Sequence, residues 1–214
     1  MRGTIPTREE MCRALEERHG KAVQEKFSNS IVAICGLGGL GSNIAVSLAR
    51  AGVGTLILID FDRVDITNLH RQQYLASQIG RPKPEALAEN LRSIAPYVNL
   101  VTHSVRVTPD NLGELLQNDD VICEAFDRAE EKAMLVNGVW ERFPEKYLVS
   151  GSGMAGFASA NQIRTRRVTK RFYLCGDEVS DVNDGIGLVS SRVAVCAAHE
   201  AHIVLRILTE EFEP

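Results

Sequence analysis

Residues 31–60, IVAICGLGGLGSNIAVSLARAGVGTLILID, decide the fold. The run IVAIC (31–35) is continuously apolar, the pattern of a strand buried on both faces of a parallel sheet. It passes into Gly36-Leu-Gly-Gly-Leu-Gly41, then a helix-like stretch at 42–52, then a second apolar strand, TLILID (55–60). Gly36, Gly38 and Gly41 form GxGxxG between a strand and a helix, where glycines permit a tight turn and the helix N-terminus offers free N–H groups to an anion. Asp60 closes the second strand, where a carboxylate can accept hydrogen bonds from ribose hydroxyls. A glycine turn also serves plain strand–helix packing, and at this point NAD and ATP fit equally well.

Working outward, the same alternation continues. The chain reads as a helix near 83–95, a strand near 98–103, a helix opened by Thr108-Pro109, a strand at 120–126, a helix at 129–141 and a strand at 146–153. This argues an open, doubly wound α/β sheet, whose ligands gather at the carboxyl ends of the strands. Residues 158–167 alternate like an antiparallel strand, 173–187 read as a loop without periodicity, and 188–210 as a long amphipathic helix. Upstream, residues 8–27 read as one amphipathic helix, with Thr7 and Glu10 in a capping-box pattern.

The segment after Asp60 separates the nucleotides. Asp62, Asn68, Arg71 and Gln72 follow in order, and Lys83 begins the next helix. Two cations, an amide and a helix N-terminus converging on one glycine turn predict more positive potential than a dinucleotide pyrophosphate requires, and suit a triphosphate. The plain alternative is that Arg71 and Lys83 are solvated surface charges. Asp127 follows the apolar strand DVICEAF, so it belongs at a carboxyl strand end, where it can hold Mg²⁺ or cap the helix beginning near Arg128.

ICGLGGLGSNIAVSLARAGVGTLILIDFDRVDITNLHRQ, Lys83 and the AFD ending at Asp127 resemble the adenylation domain of the ThiF/MoeB/ubiquitin-activating superfamily. The short length, YLCGD and GLVSSRVAVCAAHEAH are similar to the compact ThiF-type adenylyltransferases that activate the sulfur carrier ThiS for thiamine thiazole synthesis. The resemblance implies a Rossmann-like, mostly parallel sheet with an N-terminal helix, an antiparallel extension and a C-terminal helix. It implies one adenylation domain over 1–214, with 1–28 as a helical arm. ATP and Mg²⁺ are the implied cofactors: Asp60 would hold the ribose, Asn68, Arg71 and Lys83 the phosphates, and Asp127 the metal, with Asp62 and Gln72 also in the ATP site. Gly39 and Gly41 would approach the nucleotide through their backbones. The implied partners are a ubiquitin-like carrier ending in Gly-Gly, a separate sulfur donor, and a second copy whose Arg13 or Arg18 reaches the neighbouring site. A tRNA threonylcarbamoyladenosine dehydratase of the same superfamily is the rival; an NAD-dependent oxidoreductase leaves Asn68, Arg71, Lys83 and Asp127 without jobs.

Composition constrains partners. The 214 residues carry a formal net charge of −4, which disfavours nucleic acid and anionic membranes. The polar N-terminus does not read as a signal peptide, so a cytoplasmic location is expected. Cys12, Cys35, Cys123, Cys175 and Cys196 form no CxxC pair, so zinc is not expected. Cys35 and Cys123 fall in apolar runs, which leaves Cys175 as the one candidate reactive thiol. Gly151, Gly153, Gly156 and the loop 173–187 are candidate walls for a carrier tail. Arg164, Arg166, Arg167, Lys170 and Arg171 form the one dense basic patch, a candidate dock for an acidic carrier face or an edge strand protected by charge.

Overall fold

The computed structural model describes residues 5–214, so the first four residues of the 1–28 arm lie outside the described residues. The expected single helix over 8–27 is two, α1 (Arg8–His19) and α2 (Lys21–Asn29). They part at Gly20, whose φ of 84° lies in the left-handed region that glycine adopts at least cost. The capping box is present: the Thr7 hydroxyl accepts from Glu10 N, and the Glu10 carboxylate accepts from Thr7 N. No residue of α1 is buried, whereas α2 buries Gln24 and Phe27.

Strand β1 (Ile31–Cys35) leads through the glycine turn into α3 (Gly39–Ala51), β2 (Thr55–Ile59), α4 (Lys83–Ile94) and β3 (Asn99–His103). The second half holds α5 (Leu112–Leu115), β4 (Val121–Glu124), α6 (Ala129–Arg142), β5 (Tyr147–Gly151), β6 (Arg164–Thr169), β7 (Phe172–Gly176) and α7 (Ser190–Leu208). The seven strands form one sheet in the order β3-β2-β1-β4-β5-β7-β6. All neighbours are parallel except β6 and β7, which are antiparallel. This is the expected doubly wound α/β architecture. The order reverses between β1 and β4, which opens the crevice at the carboxyl end of β1. Val32, Ile34, Leu56 and Leu58 face α3, α4 and α7 on one side, and Ala33, Ile57 and Ile122 face Leu135 and Val139 of α6 on the other. Ile44 and Leu48, which seat α3 on this core, are fully buried. Burial of such a side chain is worth roughly 1.5–3 kcal/mol over exposure.

Two further expectations fail for identifiable reasons. The helix expected at Thr108-Pro109 starts only at Leu112, because the Asn111 side chain accepts from Thr108 N at 2.8 Å and holds a turn there. The loop expected over 173–187 begins with strand β7, whose residues FYLCG lie between β5 and β6. A strand covered on both faces carries no alternation, so its sequence lacks the signature that exposes a half-buried strand. Cys175 is therefore a fully buried strand residue, and burial pushes its thiol far above the ordinary range. It is not a reactive loop cysteine; of the five thiols only Cys12 is not buried.

Candidate nucleotide site

The glycine turn is built by close contacts. A Cβ on Gly41 would lie 1.8 Å from the Gly36 carbonyl oxygen, and one on Gly36, at φ 91°, would lie 2.7 Å from the Ala125 carbonyl. The approach that Gly41 permits is thus to the turn itself, which fastens α3 against β1. Gly38 and Gly39 are half-buried, and the Arg71 side chain lies 3.5 Å from a Cβ built on Gly39. Gly38, the N-cap of α3, supplies no side-chain acceptor, so the first turn of the helix remains available to an anion.

Asp60 is buried just beyond β2, with one oxygen accepting from Leu37 N at 2.7 Å and the other from Asp62 N at 2.8 Å. Lys83 is buried at the start of α4, with its ammonium 3.0 Å from Asp62 Oδ2 and 3.8 Å from Asp60 Oδ2. Asn68 ends a short 3-10 turn, and its carbonyl accepts from Arg71 N and Gln72 N, each at 3.2 Å. That turn carries Arg71 over Gly39 and brings Gln72 to Gly38. Arg71 Nε and Gln72 Oε1 are both buried without a partner among the described residues. Unpaired buried polar atoms cost free energy, so their concentration over an uncapped helix N-terminus fits a polar ligand seated there. Burial lowers the Arg71 guanidinium from its ordinary value, and the charge of Asp127 opposes that shift. Asp127 itself is exposed at the end of β4, and Arg128, not Asp127, is the N-cap of α6.

The structure thus gathers Gly36–Gly41, Asp60, Asp62, Arg71, Gln72 and Lys83 about one strand-end turn, with Asp127 near enough for its charge to act on Arg71 and Asn68 joined through its backbone carbonyl. It also corrects the charge balance expected there. Two cations, Arg71 and Lys83, stand with three carboxylates, Asp60, Asp62 and Asp127, so these side chains alone hold no positive surplus. No group of three or more His, Cys, Asp or Glu side chains suited to a metal is present among the described residues. Asp127 is a single exposed carboxylate, which fits Mg²⁺ bound mainly through phosphate oxygens and water.

Three supports escaped sequence reasoning. Tyr74 donates to the Leu37 carbonyl at 2.8 Å and props the turn from beneath. Asn43 donates to the carbonyls of Gly39 and Arg71, at 2.6 and 3.1 Å, tying helix to loop. Deeper, Glu124 accepts from Phe126 N, Lys132 and Ser150, and Lys132 also donates to the Gly151 carbonyl at 3.0 Å. Arg13 and Arg18 are exposed on α1. The basic patch is partly neutralised within the chain: Arg166 makes a two-point contact with Glu178, and Arg167 pairs with Glu213 at 2.9 Å.

Glu200 of α7 lies under this network, fully buried, with Oε2 unpartnered. Burial raises it to about 8, Lys132 opposes the rise, and Glu124 reinforces it. Between its ordinary pKa and 8 the folded chain keeps a proton that the unfolded chain has released. Stability from this group is therefore full at low pH and lost as pH rises to 8. Glu200→Gln should remove that slope, a difference on the order of a few kcal/mol between pH 5 and 8.5 in urea unfolding. An unchanged pH profile in the variant would contradict the assignment of Glu200 as neutral.

The family model for the ThiF family matches residues 11–214. The chain belongs to the ThiF family. Among relatives, it is 37% identical over 126 residues to the adenylyltransferase and sulfurtransferase MOCS3 of Caenorhabditis briggsae, covering 58% of this chain and 31% of that protein. It is 32% identical over 136 residues to the sulfur carrier protein adenylyltransferase of Thermus thermophilus, covering 63% of this chain and 45% of that one. The chain thus spans less than half the length of either relative. In fold it is similar to the Escherichia coli tRNA N6-threonylcarbamoyladenosine dehydratase in complex with AMP, with a TM-score of 0.85 over 98% of both chains at 22% identity. Family membership agrees with the resemblance carried by the glycine turn and the segment through Arg71, but it covers members with different acceptors.

Proposed function

We propose that this chain is a nucleotidyltransferase that activates the C-terminal carboxylate of a ubiquitin-like, ThiS-type sulfur carrier, releasing pyrophosphate. The observation that carries this reading is the pair of unpartnered buried atoms, Arg71 Nε and Gln72 Oε1, set over the uncapped N-terminus of α3 beside Asp60 and Lys83. The carrier carboxylate is ionised at neutral pH, so it attacks the α-phosphorus without a general base. The new bond joins carboxylate oxygen to α-phosphorus, and the bond to the β-phosphate bridging oxygen breaks. Arg71 and Lys83 would hold the phosphates and offset the charge developing on the leaving pyrophosphate. Asp127, with phosphate oxygens, would hold Mg²⁺, which would supply the positive charge that the side chains alone do not. Asp60 would keep the ribose in place, with Asp62 orienting Lys83.

The thiamine pathway, a separate sulfur donor, and a homodimer in which Arg13 or Arg18 completes the neighbouring site belong to the same reading. Exposed Arg164 is the candidate docking residue on β6, since Arg166 is already held by Glu178. A second reading, activation of a tRNA substrate, is favoured by the fold likeness over the whole chain and disfavoured by the net charge of −4.

ATP–pyrophosphate exchange separates the two. Exchange that requires a Gly-Gly-ending carrier and ignores tRNA supports the first reading. Exchange that requires tRNA supports the second, and exchange with neither acceptor overturns both.

A further inference from the structure

Arg192, in the first turn of α7, is 4% exposed and forms an ion pair with Asp177 Oδ2. A second arm of the same guanidinium donates to the Ala155 carbonyl at 3.1 Å. Asp177 Oδ1 accepts from Val179 N, Ser180 N and Ser180 Oγ at 2.9–3.0 Å, and Ser180 Oγ in turn accepts from Ala155 N. Asp177 N and Glu178 N donate to the carbonyls of Gly153 and Ser152, and Gly156 N donates to the Gly187 carbonyl. One buried ion pair therefore fastens three pieces of chain together: residues 152–156, residues 177–188 and the start of α7.

The fastened loops reach the nucleotide site without belonging to it. Val193, next to Arg192, comes within 3.0 Å of a Cβ built on Gly39. The Leu188 carbonyl lies 3.2 Å from His70 Nε2, one residue from Arg71. On their outer side, Phe157, Val179, Val182 and Ile186 are each more than half exposed. Burying two charges is costly, and an apolar pair could stabilise such a junction as well, so what an ion pair adds is a single defined arrangement. None of these residues is among those proposed to hold ATP.

We propose that Arg192 and Asp177 are positioning residues for the acceptor. Resting on the proposed function, this inference holds that their ion pair keeps 177–188 folded on 152–156, so that the passage by which an extended, glycine-ended protein tail reaches the α-phosphorus is formed in advance. Preformed geometry of this kind lowers the cost of bringing the acceptor into line.

Asp177→Asn is the informative variant. It preserves the acceptor facing Val179 and Ser180, and replaces the oxygen facing Arg192 by a donor. Arg192→Lys keeps the charge with one contact fewer and should rescue in part. In exchange assays with a ThiS-type carrier, Asp177→Asn should raise KM for the carrier at least about tenfold while ATP affinity stays within about twofold, with Arg192→Lys in between. Amide hydrogen exchange should accelerate in 177–188 and not in 31–60, which reads the clasp even if catalysis falls with it. An unchanged carrier KM in a variant whose 177–188 amides have accelerated overturns the proposal, as does a parallel loss of ATP affinity. Wild-type chain is the control: no carrier-dependent exchange there overturns the reading of function, whereas a wild-type response with an unaltered variant overturns the clasp alone.

Discussion

Arg71→Ala is expected to reduce carrier-dependent ATP–pyrophosphate exchange by at least about 10²–10³-fold, the cost of removing one preorganised donor aimed at charge that develops in a transition state. The aliphatic stem of Arg71 lies against Gly39, its Nε is buried without a partner among the described residues, and the charge of Asp127 acts on its guanidinium. Its backbone is held independently, by Asn68 and Asn43, so the loop should survive loss of the side chain. Arg71→Lys should recover little, because a point charge on a flexible stem does not reproduce a planar guanidinium. Asp127→Ala should match the loss in exchange for a different reason, through the metal, and higher Mg²⁺ should lessen its defect while leaving that of Arg71→Ala unchanged. Wild-type-like exchange in both variants, with circular dichroism unchanged, would remove the site from the account.

Gly41→Ala should be the most damaging single methyl group in the glycine turn at 36–41. Its Cβ would sit 1.8 Å from the Gly36 carbonyl oxygen, a distance that only backbone movement can relieve. Gly36 in turn is pressed against Ala125, in the segment that leads to Asp127, and its φ of 91° disfavours any other residue. The displacement therefore spreads to the N-terminus of α3 and to the strand end beside it. We expect ATP affinity to fall more than about tenfold and stability by about 1–3 kcal/mol, the range for overpacking in a close-packed interior. Isothermal titration with ATP and thermal melts check the two effects. A variant that binds ATP normally would show that the turn shapes the fold and not the nucleotide site.

What could be read from the sequence was what is local. The strand–turn–helix at 31–52 is written in consecutive residues, and Asp60 and Asp127 follow apolar strands whose carboxyl ends share one edge in any doubly wound sheet. The partners of these residues were not local. Lys83 reads as a free cation until its contacts with Asp60 and Asp62 are known, and only then does the expected positive surplus disappear. Strand β7 and Cys175 were misread because burial on both faces erases alternation. Helix α7 reads as amphipathic, yet Arg192 and Glu200 sit on its buried side, Arg192 paired with Asp177 and Glu200 kept protonated by burial. Periodicity reports which face is apolar; it does not report that a charged residue has found a partner inside.

The defining event of the proposed reaction is the bond formed between carrier and nucleotide. Intact-mass spectrometry of a Gly-Gly-ending carrier, incubated with the chain, ATP and Mg²⁺, measures it. The predicted result is a carrier heavier by one adenylyl group, formed only when its C-terminal carboxylate is present, and absent with Arg71→Ala. A carrier of unchanged mass under conditions in which the chain binds ATP, or an adduct that persists after the carrier's terminal glycine is removed, would contradict it.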